Sequence, residues 1–204
     1  MEPMVWICRV HGMPSGWMRG WDRILPGEKA ERLRRMPEPK AALSLTGELL
    51  ARYGVWKWSG VPPTEIRFAV QDSGKPVATF PQGYFFNISH SGDLCACAVA
   101  RVPVGVDIQK MEPVRFDAIA KRYFAPQEQA GYQQAEDPKT MFYTLWTKRE
   151  AIGKCIGVGL RPLPERLPPM QLRWKTLGEY RLCVCWEDRA ALDFRDTMEY
   201  NKEN

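Results

Sequence analysis

The chain has 204 residues, 45% apolar and 26% charged, which is enough for one large domain or two small ones with a real core. Its start, Met1-Glu2-Pro3-Met4-Val5-Trp6-Ile7, has no basic region ahead of an apolar run, and nowhere do roughly 18 consecutive apolar residues occur. Export and a membrane span are therefore not expected, and the cytoplasm is the expected setting. The net charge of +5, from 29 basic and 24 acidic side chains, favours an anionic partner, and nucleic acid, a phosphorylated cofactor or an acidic protein each satisfies it.

From Pro26 to Tyr53 a basic cluster (Lys29, Arg32, Arg34, Arg35) precedes the apolar, helix-forming run Ala41 to Leu50. This predicts two helices broken at Pro37 and Pro39. Strands are predicted at Ile66 to Val70, Phe85 to Ser89 and Leu94 to Ala100; a turn at 101–105 then leads into a short strand, Gly105 to Ile108. Helices are expected at about 115–136 and 140–156. Four prolines between Arg161 and Pro169 predict a loop before the last strands, and the polar tail from Asp193 is expected to fray.

Four of the six cysteines form the pairs Cys95/Cys97 and Cys183/Cys185, whose two-residue spacing places each pair on one side of a strand. That spacing does not match the usual metal-binding pattern, and no secretion signal points to disulfides, so core positions are expected. The run Leu182 to Trp186 also resembles Leu94 to Ala98. The second half thus repeats the first in coarse order, which implies two similar α+β halves.

With only His11 and His90 present, histidine chemistry falls on Phe86-Asn87-Ile88-Ser89-His90-Ser91-Gly92. A Ser-His dyad is disfavoured because neighbours on a strand point to opposite faces, and no nucleophile elbow occurs. A hydrogen-bonded strand end and a phosphate-binding group of donors both remain open. Gly74-Lys75-Pro76 would hold a lysine in a fixed turn. In Gly105-Val106-Asp107-Ile108-Gln109, the two oxygen-bearing side chains Asp107 and Gln109 share a face, which makes either a half-site for a hard cation or one polar face of an edge strand. Trp146, Glu150 and Lys154 share a helix face, where Glu150 and Lys154 could simply be a solvated pair. Gly153 hints at close approach to that helix, and Gly157-Val158-Gly159 reads best as a helix C-cap.

Taken together and in order, Gly74-Lys75-Pro76, Phe86-Asn87-Ile88-Ser89-His90-Ser91, Gly105-Val106-Asp107-Ile108-Gln109 and Trp146-Thr147-Lys148-Arg149-Glu150-Ala151-Ile152-Gly153-Lys154 resemble the surfactin-synthetase-activating type of 4′-phosphopantetheinyl transferase. The likeness covers roughly residues 20 to 165, and four ordered motifs are far more specific than any one of them. The resemblance implies an α+β fold of two similar halves with pseudo-two-fold symmetry, divided at 1–102 and 103–204, with coenzyme A and Mg²⁺ in the cleft between them. It implies that Lys75, Pro76, Ser89 and His90, assisted by Lys29 and Arg32, hold the adenosine and its 3′-phosphate. It further implies that Asp107, Gln109 and Glu150 bind the metal, that Asp107, Glu150 and Lys154 carry catalysis, and that Lys154 lies near the transferring phosphate. The implied partner is an acyl or peptidyl carrier protein, with no nucleic acid, no membrane and a monomeric state.

Three positions depart from the family pattern. Gln109 replaces the usual second acid, Arg149 replaces a lysine, and Leu43 stands where relatives place an arginine on the 3′-phosphate. Two further readings follow: a coenzyme A-binding pseudoenzyme, favoured by Gln109 and Leu43 but opposed by Asp107, Glu150 and Lys154, and a Mg²⁺-dependent nuclease or phosphohydrolase.

Overall fold

The computed structural model describes residues 2–10, 24–25, 27–71 and 74–189. His11 and the tail from Asp193 lie outside the described residues.

The chain runs as strand, helices and hairpin, twice over. In the first half β1 (Met4–Arg9) is followed by α1 (Gly27–Arg34) and α2 (Glu38–Ser59), then by the small hairpin β2 (Arg67–Val70) and β3 (Pro76–Phe80), and then by β4 (Phe85–Ser91) and β5 (Leu94–Ala100). The second half begins with β6 (Val104–Lys110), continues through α3 (Phe116–Tyr123), α4 (Pro126–Gln133) and α5 (Pro138–Ile156), and closes with β7 (Met170–Leu177) and β8 (Tyr180–Glu187). The three-stranded sheets have orders β1-β5-β4 and β6-β8-β7, and both are antiparallel. In each half the first strand pairs with the last, which is the two-similar-halves α+β fold expected from the repeat.

Alternation along the strands places the core. On β5, Leu94, Ala96, Ala98 and Ala100 face Val104, Val106, Ile108, Leu182, Val184 and Trp186 of the other sheet, all buried. The opposite face of β5, with Cys97 and Val99, packs beneath α2 through Ala51 and Val55. Likewise Cys183 and Cys185 of β8 pack beneath α5 through Ala151, Ile152 and Cys155. All six cysteines are free. Burial pushes the Cys95 and Cys183 thiols up to about 12, as core positions require.

Several boundaries differ from the expected ones for local reasons. The helix expected over 115–136 is two helices, because Ala125 is extended ahead of Pro126 and proline starts α4 at its first position. The earlier break falls at Pro37 alone. Pro39 sits in the first turn of α2, where its missing N–H costs nothing. The expected Gly105 strand is longer, Val104–Lys110. Gly157 ends α5 in the left-handed region (φ 80°), as a C-cap.

Candidate active site

The seam between the halves is built by alternate side chains of β4. Asn87 Oδ1 accepts from Val106 N–H at 2.9 Å, Ser89 Oγ accepts from Ile108 N–H at 3.3 Å, and Ser91 Oγ accepts from Lys110 N–H at 3.0 Å. One edge of β6 carries backbone N–H groups that need partners, and three polar residues at strand spacing supply them. Ser89, implied as a cofactor contact, is therefore a buried junction, and its hydroxyl also donates to Asp107 Oδ1 at 2.8 Å. Asn87 and Ser91 were not singled out from the sequence. The signal available there was the alternation Asn87-x-Ser89-x-Ser91, polar on one side of a strand whose other positions are apolar or exposed.

Asp107 is the hub. Its side chain is 1% exposed and pairs with Lys154, whose Nζ lies 2.7 Å from Oδ1. Lys154 also donates to Ser89 Oγ at 3.0 Å and to the Val106 carbonyl at 3.3 Å. Gln109 shares Asp107's face as expected, and its amide nitrogen donates to Asp107 Oδ2 at 3.1 Å. The approach of α5 to β6 depends on Gly105: a Cβ there would lie 2.6 Å from Cys155 N and overlap the Ala151 carbonyl oxygen. This close packing brings Lys154 and Glu150 over Asp107.

Glu150 and Lys154, one turn apart on α5, do not pair with each other as a solvated couple. Lys154 turns to the buried Asp107, while Glu150 Oε1 is buried without a hydrogen-bond partner. Burial and then the charge of Asp107 hold the Glu150 carboxyl above its ordinary value, against the pull of Lys154 and Arg149. On the opposite side of β4 from Ser89, His90 is exposed; partial desolvation and then the charge of Lys154 hold its imidazole below the usual value.

The other implied residues are held by contacts of their own. Lys75 crosses between halves and donates to the Cys155 carbonyl at 2.7 Å and to the Val104 carbonyl at 3.5 Å, with burial lowering its pKa. Pro76 opens β3. Lys29 is held by Glu48 at 2.6 Å, and Glu48 in turn pairs with the buried Arg52. Arg32 is exposed on α1. Leu43 packs with Val10, Ala42 and Cys95. Arg149 stacks 5.4 Å from the Tyr123 ring and donates to the Arg161 carbonyl, a use of its plane that lysine could not reproduce. The close approach signalled by Gly153 is made by the chain's own Gly159 carbonyl, which a Cβ at Gly153 would overlap.

A divalent cation suits these donors. Two carboxylates, one nearly fully buried and one with an orphaned oxygen, are hard ligands that repel each other without a cation between them. Among the described residues no cluster of three His, Cys, Asp or Glu occurs.

Comparison with known proteins places both halves. The model of the 4′-phosphopantetheinyl transferase superfamily matches residues 103–193, and that of the 4′-phosphopantetheinyl transferase N-terminal region matches 12–102. A 4′-phosphopantetheinyl transferase of Bacillus subtilis is 37% identical over 194 residues, covering 84% of this chain and 85% of the relative. The psf-1 transferase of Bacillus pumilus is 37% identical over 80% of this chain and 78% of its own length. The HetI transferase of a Nostoc species is 29% identical over 74% and 68%.

Proposed function

This chain belongs to the 4′-phosphopantetheinyl transferase superfamily, and on that premise we propose how its own residues move the phosphopantetheine arm of coenzyme A onto a carrier serine and release 3′,5′-ADP. The observation that carries the reading is the convergence of Asp107, Lys154 and Glu150 at the seam between two similar halves. All three charges come from β6 and α5 of the second half, and Ser89 of the first half joins them at the seam. We place the boundary between the halves at 1–102 and 103–204.

Asp107 and Glu150 would hold Mg²⁺, with Gln109 as the third oxygen donor. Bound there, the ion would supply charge neutralisation for the pyrophosphate in the phosphoryl transition state. Glu150, whose basicity is raised by burial and by Asp107, accepts the proton of the attacking serine hydroxyl. Lys154 donates to the departing 3′,5′-ADP phosphate. His90, biased toward its neutral form, offers one N–H to the nucleotide, which Lys75 and Pro76, in the turn that opens β3, help to hold. Lys29 and Arg32 on α1 add positive charge for the 3′-phosphate. The serine arrives on an acyl or peptidyl carrier protein, and neither nucleic acid nor a membrane takes part; no described helix is long and apolar enough to cross a bilayer. We assign the protein to the cytoplasm as a monomer.

Gln109 braces Asp107 through Oδ2, and the intact Asp107, Glu150 and Lys154 favour the transferase over a pseudoenzyme. The deciding experiment incubates the protein with coenzyme A, Mg²⁺ and a panel of apo carrier proteins. One added phosphopantetheine per carrier in the mass spectrum is the expected result. Tight coenzyme A binding with every carrier unmodified would establish the pseudoenzyme instead.

A further inference from the structure

The groups that this reaction needs free are engaged with one another. The Lys154 ammonium has three N–H donors and three acceptors around it: Asp107 Oδ1 at 2.7 Å, Ser89 Oγ at 3.0 Å and the Val106 carbonyl at 3.3 Å. Asp107, 1% exposed, draws its compensating charge from this lysine. A carboxylate buried that deeply is costly without a cation. Glu150 Oε1, also buried, has no hydrogen-bond partner among the described residues. Among the described residues, the ammonium of this site is thus seated on Asp107, and the Glu150 acceptor one helical turn away is left unanswered.

We propose that Lys154 is the resident counter-ion of this site and exchanges places with the divalent ion, leaving Asp107 for a cofactor phosphate as the ion arrives. The inference rests on the reading of Asp107 and Glu150 as the metal's carboxylates, and it adds an order of assembly to that reading. The lysine side chain is 25% exposed, and its flexible four-carbon stem lets the head move toward solvent without unpacking α5. A divalent ion arriving alone meets an ammonium already on its carboxylate. A pyrophosphate arriving alone finds that ammonium committed. Each ligand removes the obstacle to the other, so their binding is mutually favourable, and by linkage the effect is reciprocal. The free protein consequently resists loading with stray divalent ions, and metal enters with the cofactor.

The experiment measures Mn²⁺ binding by its electron paramagnetic resonance signal at pH 8, without coenzyme A. Lys154→Met and Lys154→Gln should each bind Mn²⁺ roughly tenfold or more tightly than the unaltered protein, within the usual range of coupling between sites. Adding Asp107→Asn to Lys154→Met should abolish that gain. Circular dichroism and thermal melting establish that each variant is folded, and Mn²⁺ should raise the melting temperature of the lysine variants more than that of the unaltered protein. Folded lysine variants that bind Mn²⁺ no more tightly than the unaltered protein overturn the exchange, as does a gain that survives Asp107→Asn. A separate arm tests the underlying reading: with coenzyme A present, the unaltered protein should retain more Mn²⁺ than coenzyme A alone does, and Asp107→Asn should remove the excess. If it does not, the metal assignment fails and the exchange fails with it.

Discussion

At the scale of single residues, Glu150 shows how one position serves function against stability. As the proposed base, its replacement in Glu150→Gln should lower turnover at least about a hundredfold, the scale of a lost general base. Coenzyme A binding by calorimetry should fall much less. The same carboxyl is held above its ordinary value, so its folded form favours the proton. Its contribution to stability is present below the ordinary carboxyl value and is lost as pH rises through the raised one. Melting curves of the metal-free proteins should accordingly show Glu150→Gln gaining on the unaltered protein between pH 4 and pH 8. A constant difference across that range would mean that the carboxyl is not strained by its surroundings. Gln109 gives the complementary case. Its amide donates to Asp107, so Gln109→Glu sets two carboxylates against each other. The metal-free variant should melt lower while needing less Mg²⁺ for half-maximal rate, since a carboxylate binds a hard cation better than an amide. An unchanged Mg²⁺ dependence would leave Gln109 as a brace for Asp107 and nothing more.

At the scale of elements, the decisive contact is between β4 and β6, which belong to different sheets and meet through side chain to backbone bonds. Removing an acceptor there leaves a buried N–H without a partner. Asn87→Ala should therefore cost about 1–3 kcal/mol, read as a shift in the urea midpoint. Ser91→Ala should cost less, because its bond to Lys110 N–H lies at the part-buried end of the seam. Equal and small effects of both would mean that the seam is held by the apolar core alone. The β4 and β6 edges also fix where Asp107 and Lys154 meet. Ser89 is the middle rung, and it is the rung that reaches both Asp107 and Lys154.

At the scale of the whole molecule, the two halves have the same order of elements but are joined unequally on their two sides. On the active side three polar side chains bridge the strands, and Lys75 reaches across to the Cys155 carbonyl. On the side that corresponds to it by the repeat, Arg173 of β7 meets Glu2 beside β1 at 2.8 Å, with both side chains more than two-thirds exposed. Exposed pairs contribute little. Glu2→Ala should change stability by less than about 0.5 kcal/mol, whereas Lys75→Met should lower it measurably and speed amide hydrogen exchange in the last turn of α5. If the two variants behave alike, the inequality between the two sides is not energetic.

The sequence by itself determined the kinds of elements, the shared faces and the family. The Leu94 to Ala100 strand, the Asp107/Gln109 face and the Cys-x-Cys core positions follow from a period of two, which the backbone imposes wherever a strand forms. The split at Pro126 was less legible, because a proline compatible with a helix start is equally compatible with one continuous helical stretch kinked there. Only the tertiary structure decided which face met which edge. Periodicity shows that Asn87, Ser89 and Ser91 are alike, but not that the unpaired edge of β6 lies beside them. It also puts Lys154 within reach of Glu150, where a pair on a helix surface is worth only about 0.2–0.5 kcal/mol. Burial of Asp107 a few ångströms away overrides that local preference, because a buried carboxylate without its cation costs several kcal/mol.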